Sequence, residues 1–439
     1  MRPMTPDATA ARVAAKLPHD APVAIVRDGR CTIVACAPVE LVVASGRAAL
    51  EQLDDLAAGW WAGFVAYELG HAIERVVPRP SPSPVPPLPD LVLARFDTRA
   101  VIGPEPDRIE LVGDGPSRAA LEHAVGRARD DGEHRAGSDI ALDACARSWR
   151  SSLSRPQFEA RVATIIELIR AGECYQVNLT RRLTLDDTLD PVRLFGALAC
   201  ENPAPHSALL RLPAGCAGQQ PFAVVSASPE TFLRWRAGNV VTRPIKGTSR
   251  DRNALVRSAK DRAENVMIVD LARNDLGRVC VPGTITVPAL CAPEAHPGLY
   301  HLVSTVSGQL RAGVGPGALL RATLAPASVT GAPKPRVLQV IEQLETIPRG
   351  VYCGAVGWID TERDAGDLSV AIRTFAMHGA RTELGVGAGI VADSDPAAEW
   401  RETELKGARL LTIAAASAGI EVGANDAGSR RGAATPVGA

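Results

Sequence analysis

Two ionisable residues in the middle of the chain, Lys246 and Glu264, stand where such groups could do chemistry. Lys246 follows a strand-like run, residues 239–242, and precedes a Gly-Thr turn, so the sequence predicts an amine at a strand end, where functional groups are commonly displayed. Glu264 lies on a predicted helix, and apolar residues share its face: Met267, Ile268 and Leu271. A carboxylate in an apolar stripe requires a positive partner, and a buried cation or a metal ion would fit.

The last predicted helix, which begins near Pro396 and ends before Gly419, carries a second acidic cluster. Glu399, Glu402 and Lys406 fall on one of its faces. Beside Glu264 they would form a site of hard oxygen ligands, and without a His/Cys cluster such a site favours Mg²⁺.

Each of these residues also has a structural interpretation. Lys246 could be a solvated turn lysine, and Glu264 could be a helix-face acid paired with an arginine. The charges of the last helix could form ordinary surface ion pairs. The residue types alone leave these alternatives open.

The elements that must position these residues do not alternate as parallel β-α-β units would. A capped helix is predicted from Ser154 to Gly172, followed by an alternating strand at 173–185. Three later strands, at 351–360, 368–375 and 383–389, are spaced like an antiparallel meander. The pattern predicts an α+β fold in which antiparallel β-sheets pack together and are covered by helices.

Composition divides the chain into three regions. Residues 1–150 form an amino-terminal region with a Pro-rich connector at 78–89, which holds seven prolines. Residues 151–418 contain the candidate site. Residues 419–439 are rich in Gly, Ala and Ser and are predicted to be disordered.

Charge and hydropathy exclude several classes of protein. A net charge of −1 makes no case for nucleic acid or an anionic membrane as a partner. No apolar run is long enough to span a membrane. The nine cysteines lack a C-x-x-C pair, so neither a zinc site nor a disulfide framework is supported, and we expect a cytoplasmic protein.

Eight segments in residues 154–415 resemble, in order, the chorismate-utilising enzymes, whose fold is the anthranilate synthase component I-like fold. They are S-A-S-P-E-T-F-L, P-I-K-G-T, A-E-N-V-M-I-V-D-L-A-R-N-D-L-G, H-L-V-S-T-V, V-T-G-A-P-K, R-G-V-Y-C-G-A-V-G, A-I-R-T and G-A-G-I-V-A-D-S-D-P-A-A-E-W-R-E-T-x-x-K. The resemblance is specific because many segments agree. It is looser in the amino-terminal third, where only G-F-V-A-Y-E-L-G is similar.

The resemblance implies roles for the acidic residues. Glu230, in S-P-E, corresponds to the general acid of the family, which protonates the departing hydroxide. Glu264 and Glu402 correspond to the Mg²⁺ ligands, with Asp261 and Glu399 as second-shell or water-mediated partners. The metal ion would anchor the ring carboxylate of chorismate.

The resemblance also implies a binding surface for the rest of the substrate. Arg373 and Tyr352 would bind the other carboxylate, beside the backbone of Gly387, Ala388 and Gly389. Lys406 would add positive charge. Near the ring the family has polar residues that match His301 and Thr330. The loop before Thr330 lacks the usual Pro-Gly-Gly run, which makes its conformation the least secure part of the match.

The residue types at two positions distinguish the branches of the family. Members that add water usually carry a lysine at the position of Gln176, so the glutamine argues against isochorismate or salicylate synthesis. Members that form anthranilate usually have alanine in P-I-A-G-T, whereas Lys246 resembles the branch that aminates ring carbon 4. In that branch the lysine attacks carbon 2 of the ring, and ammonia then attacks carbon 4 and displaces the lysine. The resemblance therefore implies conversion of chorismate and ammonia to 4-amino-4-deoxychorismate through a covalent lysine adduct.

A separate glutaminase subunit is expected to supply the ammonia, because no glutaminase motif occurs in this chain. Three alternatives are open at this point. The nearest is anthranilate formation, the second is a lyase that uses Lys246 as a Schiff base, and the third is a non-catalytic chorismate- or tryptophan-binding regulatory protein. The set of acid, metal ligands and nucleophile argues against the third.

Overall fold

The computed structural model describes residues 5–78, 88–130, 149–216, 220–296 and 299–417. The tail predicted at 419–439 and most of the Pro-rich connector lie outside these ranges. Among the described residues, no helix is long and apolar enough to cross a membrane.

The described ranges contain two large sheets, of eleven and ten strands. In the first sheet every pair of neighbouring strands is antiparallel. Strands are numbered in chain order through both sheets. The strands of this first sheet are β1 (Val23–Asp28), β2 (Cys31–Cys36), β6 (Arg99–Ile102), β7 (Ile109–Val112), β8 (Arg150–Ser151), β9 (Gln176–Leu185), β10 (His206–Leu212), β11 (Phe222–Ser228), β17 (Gly331–Ala332), β20 (Thr374–His378) and β21 (Arg381–Ile390).

The second sheet has ten strands and is also antiparallel. Its strands are β3 (Glu40–Ala44), β4 (Trp60–Val65), β5 (Leu91–Phe96), β12 (Thr231–Arg236), β13 (Asn239–Arg243), β14 (Ile245–Ser249), β15 (Thr286–His296), β16 (Leu299–Gln309), β18 (Ala355–Asp360) and β19 (Ala365–Val370).

Helices cover these sheets. They are α1 (Pro6–Ala14), α2 (Gly46–Asp54), α3 (Leu69–Glu74), α4 (Arg118–Asp130), α5 (Arg155–Arg170), α6 (Pro191–Glu201), α7 (Arg252–Arg257), α8 (Ala259–Gly277), α9 (Pro316–Thr323), α10 (Lys334–Leu344) and α11 (Pro396–Ser417). The predicted start of α5 is confirmed, because Ser154 and Gln157 form a capping box and Pro156 lies in the first turn.

The two sheets pack face to face over an aromatic core. Phe64 of β4 meets Phe222 of β11 edge to face at 6.1 Å, and the Trp358 indole donates a 3.1 Å hydrogen bond to the carbonyl of Arg27 in the other sheet. Burying a ring of this size stabilises the fold by about 1.5–3 kcal/mol. The predicted α+β class with packed antiparallel sheets is confirmed.

Both sheets combine strands from distant parts of the chain. In the first sheet β1 pairs with β10, and in the second β4 pairs with β18. Each sheet therefore contains strands from either side of residue 150. The division of the chain near that residue stays a prediction.

The predicted meander near the carboxyl end is wrong. The region forms four strands, of which β18 and β19 belong to the second sheet and β20 and β21 to the first. The chain changes sheets at Arg373, whose φ of 52° interrupts the extended run. Alternation of side chains predicts strands but cannot show which sheet each one joins.

The apolar stripe of α8 is also displaced from its predicted position. Asn265, Ile268 and Val269 form its buried face, whereas Glu264 is only partly buried and lies at the edge. The Asn265 side-chain amide donates a 3.1 Å hydrogen bond to the carbonyl of Leu302 in β16. A polar residue thus occupies the centre of the face, which leaves the Glu264 carboxylate free to point along the edge.

Candidate active site

The predicted acid and the predicted nucleophile come from different elements and meet at one residue. Glu230 lies where the chain crosses from β11 to β12, and Lys246 lies in β14. The Lys246 amine donates a 2.9 Å hydrogen bond to the carbonyl oxygen of Ser328, whose hydroxyl hydrogen-bonds the Glu230 carboxyl group. Ser328 belongs to a 3₁₀ turn, Ala327–Val329, so this short turn holds both groups together.

The surroundings of these two groups favour their uncharged forms. Burial raises the pKa of Glu230 to about 7, against the opposing effects of Ser328 and Lys246. Burial lowers the pKa of Lys246, although Glu264 and Glu230 act in the other direction. A neutral carboxylic acid can donate a proton and a neutral amine can attack carbon, so the arrangement suits acid-assisted nucleophilic displacement.

A row of glycines on β21 clears space beside the amine. A Cβ atom at Gly389 would lie 2.4 Å from Gln176 Nε2 and 3.4 Å from Lys246 Nζ. At Gly387 it would lie 2.8 Å from Thr180 Cγ2. These glycines share one face of the strand because side-chain positions alternate, so any larger residue would fill the space in front of Lys246.

Gln176 is buried at 1% exposure, and neither its amide oxygen nor its amide nitrogen has a hydrogen-bond partner among the described residues. Buried amides nearly always have partners. Because this amide lies against Gly389 beside Lys246, the site has an unused donor and acceptor next to the amine.

Tyr352 lies at the other end of the glycine row. Its ring covers Gly385, where a Cβ would be only 2.2 Å from the ring atoms. Four residues of extended strand separate this point from Gly389, which is roughly 13 Å. Burial, together with the neighbouring Cys353, raises the pKa of the Tyr352 hydroxyl, which therefore stays protonated.

Arg373 marks another place where the chain crosses between the sheets, next to the crossing at Glu230. The carbonyl of Arg373 accepts a 3.1 Å hydrogen bond from Ala227, and the carbonyl of Glu230 accepts a 3.0 Å hydrogen bond from Val370. The Arg373 side chain is partly buried and forms no ion pair with the described residues, and burial lowers its pKa. A guanidinium without a carboxylate partner suits an anionic ligand.

His301 is a neutral side chain near Arg373. Its Nδ1 lies 2.8 Å from the Thr248 hydroxyl oxygen, its Nε2 has no partner among the described residues, and its ring packs edge to face on His296 at 4.7 Å. Burial, reinforced by His296 and Arg373, lowers the pKa of His301 to about 4. It can therefore act through hydrogen bonds but not as a cation near pH 7.

Thr330 is completely buried behind Gln176. Its carbonyl accepts a 2.9 Å hydrogen bond from the backbone of Asn178, and the following residues, β17, pair with β9 at Val177 and Gln176. The loop whose conformation was least secure from sequence is thus fixed by strand pairing.

Helices α8 and α11 bring the predicted metal ligands to one edge of the site. Glu402 forms a 2.5 Å ion pair with Lys406, which also donates a 2.9 Å hydrogen bond to the carbonyl of Gly387. Burial alone would raise the pKa of Glu402, but the ion pair with Lys406 holds this pKa below its usual range. Burial raises the pKa of Glu264 against the opposing effects of Lys246 and Lys260, and the smaller effects of Asp261 and Glu402 raise it further.

The remaining two acidic residues have protein partners. Glu399 accepts a 2.7 Å hydrogen bond from Ser394 and lies 3.9 Å from the Lys260 ammonium. Asp261 packs against Gly247, where a Cβ would come within 2.9 Å of it. Within the described ranges, no three His, Cys, Asp or Glu side chains converge as a complete metal site.

The donor set nevertheless fits Mg²⁺. That ion is usually held by one or two protein carboxylates, with water and substrate as the other ligands. Glu264 and Glu402 come from different helices and offer only oxygen donors, and the charge of Glu402 contributes to the raised pKa of Glu264.

Three residues near the site were not predicted. Ser328 bridges Lys246 and Glu230, Thr248 positions His301, and Asn178 lies beside Gly387 on the same face as Gln176. The two-residue period of a strand could have indicated Asn178. No sequence signal could have indicated Ser328, because its partners lie 82 residues or more away along the chain.

Comparisons with known proteins identify the family of the chain. A family model described as chorismate binding enzyme matches residues 20–412. The chain is 36% identical to aminodeoxychorismate synthase component 1 of Klebsiella aerogenes over 80% of this chain and 76% of that protein. It is 33% identical to anthranilate synthase component 1 of Mycobacterium tuberculosis strain H37Rv, over 89% and 79%.

A solved structure supports the same relationship. Anthranilate synthase component I from Streptococcus pneumoniae superposes with a TM-score of 0.73 at 27% identity, over 88% of this chain and 93% of that one. The chain therefore belongs to the family of chorismate-binding enzymes.

Proposed function

We propose that this protein converts chorismate and ammonia to 4-amino-4-deoxychorismate and water. The observation that carries the proposal is the junction at Ser328, which holds the Lys246 amine beside the Glu230 carboxyl group. Relatives named aminodeoxychorismate synthase component 1 are 35–36% identical over four-fifths of the chain, in line with this activity.

The reaction begins with two bond changes on the ring. The neutral Lys246 amine forms a C–N bond at carbon 2, both double bonds of the ring diene shift by one position, and the C–O bond at carbon 4 breaks. Glu230 gives its proton to the departing hydroxide, so that water leaves, and the resulting carboxylate takes a proton from the newly formed ammonium. Such a positioned acid typically contributes about 10²–10⁴-fold to the rate.

Ammonia completes the reaction. It forms a C–N bond at carbon 4, both double bonds shift back, and the C–N bond to Lys246 breaks. Glu230 carries the surplus proton from the new ammonium to the departing lysine nitrogen. Lysine and acid return to their starting states, and the net change exchanges the ring hydroxyl for an amino group.

The remaining residues bind and orient the substrate. Arg373 and Tyr352 face one carboxylate, with the backbone at Gly387–Gly389 and Lys406 beside it. His301 lies near the ring, Thr330 lies behind Gln176, and Gln176 offers its free amide to the nitrogen chemistry.

Glu264 and Glu402 would hold Mg²⁺, with Asp261 and Glu399 contacting its water ligands. The ion would supply positive charge for a carboxylate of chorismate. Lys246, Lys260 and Lys406 at the same edge limit the negative charge of these acids.

A separate glutaminase subunit is the proposed source of ammonia. The relatives are named as a component 1, which implies a second component. A nitrogen donor delivered as ammonia avoids the need for a glutaminase site in this chain.

Anthranilate formation is the second candidate, because relatives with that name match nearly the whole chain. Incubation with chorismate, Mg²⁺ and ammonium, followed by mass analysis, separates the two. We expect 4-amino-4-deoxychorismate, which keeps its enolpyruvyl group. An aromatic, fluorescent product formed with release of pyruvate would instead establish anthranilate synthesis.

Variants at the lysine test the covalent step. Lys246→Met and Lys246→Arg should both abolish amination at carbon 4 or divert the product, because neither side chain can form the adduct. If Lys246→Arg turned over at the wild-type rate to the same product, positive charge rather than nucleophilic attack would be the role of Lys246.

A further inference from the structure

Three polar side chains of β9 face the candidate site. Side chains alternate along a strand, so Gln176, Asn178 and Thr180 share one face, beside the alternating glycines of β21. In the pairing of the two strands, Asn178 lies opposite Gly389 and Thr180 lies opposite Gly387. Asn178, the middle residue of the three, has no part in the chemistry proposed above.

The backbone of Asn178 is held firmly in place. Its N–H donates a 2.9 Å hydrogen bond to the carbonyl of Thr330, and its carbonyl accepts one of 2.6 Å from Arg349. The residue also pairs with Gly389 across the two strands. These contacts fix the Cα position and therefore the direction in which the side chain leaves the strand.

The side chain of Asn178, in contrast, is unpartnered. The residue is only 7% exposed, yet no described residue forms a hydrogen bond with its amide. The amide nitrogen lies 3.3 Å from the position that a Cβ at Gly387 would take, so it borders the space in front of that glycine. Because buried amides nearly always have a partner, an amide without one beside an open space indicates a ligand.

The neighbours of this amide indicate which group of the ligand it meets. Lys406 donates a 2.9 Å hydrogen bond to the carbonyl of Gly387, so its ammonium lies on the same stretch of β21. An ammonium and an amide N–H beside a strand without side chains suit an anionic group. The anionic groups of chorismate are its two carboxylates, and one of them is already assigned to the metal site.

We propose that Asn178 is a positioning residue that donates a hydrogen bond from its side chain to the enolpyruvyl carboxylate of chorismate. The inference rests on the proposed function and adds a substrate contact to it. The bonds that change lie at ring carbons 2 and 4, so this carboxylate carries the same charge in the substrate and in the transition state. A contact that binds both states equally lowers the KM for chorismate and leaves kcat nearly unchanged.

Two variants of Asn178 test the contact. Asn178→Leu removes the amide and keeps the branched shape of the side chain. Because the amide has no partner in the free protein, this variant should unfold at the same temperature as wild type or at a higher one. Asn178→Asp places a second carboxylate against that of the substrate.

Asn202→Leu is the matched control. The side-chain nitrogen of Asn202 is also buried without a hydrogen-bond partner among the described residues. This residue follows α6, outside the candidate site. The control therefore makes the same substitution at an unpartnered amide that the substrate does not reach.

The first measurement is steady-state kinetics with chorismate and with ammonium. We expect Asn178→Leu to raise the KM for chorismate about tenfold or more, because a hydrogen bond to a charged group is lost. The kcat should stay within about threefold of wild type, and the KM for ammonium should not change. Asn178→Asp should raise the chorismate KM further, since like charges then face each other. Asn202→Leu should match wild type.

The second measurement identifies the carboxylate. It compares two inhibitors, 3-carboxymethoxy-4-hydroxybenzoate and 3-methoxy-4-hydroxybenzoate, which share the ring carboxylate and differ in the carboxylate of the side chain. In Asn178→Leu the inhibition constant of the first should rise about tenfold, whereas that of the second should equal the wild-type value.

Three results would overturn this role of Asn178. One is a chorismate KM in Asn178→Leu within about twofold of wild type. Another is a joint fall of kcat and of the unfolding temperature, which would indicate that the amide supports the fold. The third is an equal rise of both inhibition constants, which would remove the enolpyruvyl carboxylate as its partner. A wild-type protein that forms no aminated product would instead refute the proposed function, so the two failures are distinguishable.

Discussion

Ser328 is the residue on which the proposed chemistry depends most directly. Its carbonyl fixes the nucleophile and its hydroxyl contacts the acid, so the two reacting groups share one neighbour. The sequence identified Lys246 and Glu230 through the motifs around them. It could not identify Ser328, since that role arises only when a 3₁₀ turn is folded between two strands.

The raised pKa of Glu230 leads to a prediction about pH. The protonated acid is needed, so kcat/KM should fall as pH rises through about 7, where burial has moved this pKa. The acid limb should arise from protonation of Lys246, whose pKa burial lowers. Glu230→Gln should reduce kcat about 10²–10⁴-fold and remove the alkaline limb, because an amide does not titrate. A limb that persists at the same pH in this variant would assign it to another group.

Glu264 allows a test of metal binding. Glu264→Gln should raise the Mg²⁺ concentration needed for half-maximal activity by at least about tenfold. Calorimetric titration of Mg²⁺ into the protein with chorismate should show the same loss of affinity. Asp270→Asn on the exposed side of the same helix is the control. Equal Mg²⁺ affinity in Glu264→Gln and wild type would exclude this carboxylate as a ligand.

At the scale of single elements, the glycines of β21 form a binding surface because they have no side chains to fill the space in front of the strand. Beyond Leu384 it has no partner in β20, so the carbonyl of Gly387 is available to Lys406. Its other edge pairs with β9 along its whole length, which brings Gln176 over Gly389. The glycines were predicted only through the resemblance, as ligands for a carboxylate. Their wider role depends on the register between strands, which the sequence does not contain.

Gly389→Ala tests this surface. The added methyl group would lie 2.4 Å from Gln176 Nε2 and 3.4 Å from Lys246 Nζ, so we expect loss of chorismate turnover by about 10²-fold or more with the fold retained. The measurement is kcat/KM together with thermal unfolding. Gly126→Ala, in α4 with nothing within 4 Å of the new atom, should keep full activity and stabilise the helix by up to about 1 kcal/mol. Full activity in Gly389→Ala would show that substrate does not use this space.

Helix predictions were correct where a local signal exists. The capping box at Ser154 and Gln157 fixed the start of α5, and the acidic face of α11 was read from spacing alone. The face of α8 was misjudged because Asn265, a polar residue, takes the buried centre through its hydrogen bond to β16. Periodicity of apolar residues cannot anticipate a buried amide.

At the scale of the whole molecule, a buried cluster around the Arg349–Glu345 ion pair contacts the amino-terminal region through Glu68. Both side chains are almost fully buried, and Arg349 also contacts the carbonyls of Val329 and Asn178. Glu68, from the amino-terminal region, accepts a 2.6 Å hydrogen bond from the Arg349 backbone. The sequence pattern gave no indication of this cluster, because its members are hydrophilic residues of separate segments.

Removing one partner of this pair should be costly. Arg349→Met leaves the Glu345 carboxylate buried without its counter-ion, and we expect a loss of about 3–5 kcal/mol in the free energy of unfolding, measured with urea. Arg47→Met breaks an exposed pair with Glu51 and should change the free energy by less than about 0.5 kcal/mol. Equal stability of the two variants would mean that the buried pair is dispensable.

The interleaving of the two sheets has a consequence for synthesis. β4, at residues 60–65, pairs with β18, at residues 355–360. β1, at residues 23–28, likewise pairs with β10, at residues 206–212. A nascent chain therefore leaves the ribosome with edge strands whose partners are translated much later. Pairings this distant in sequence form slowly and expose unpaired strands meanwhile. We expect that a polypeptide released after residue 350 would aggregate or require a chaperone, since neither sheet could be completed.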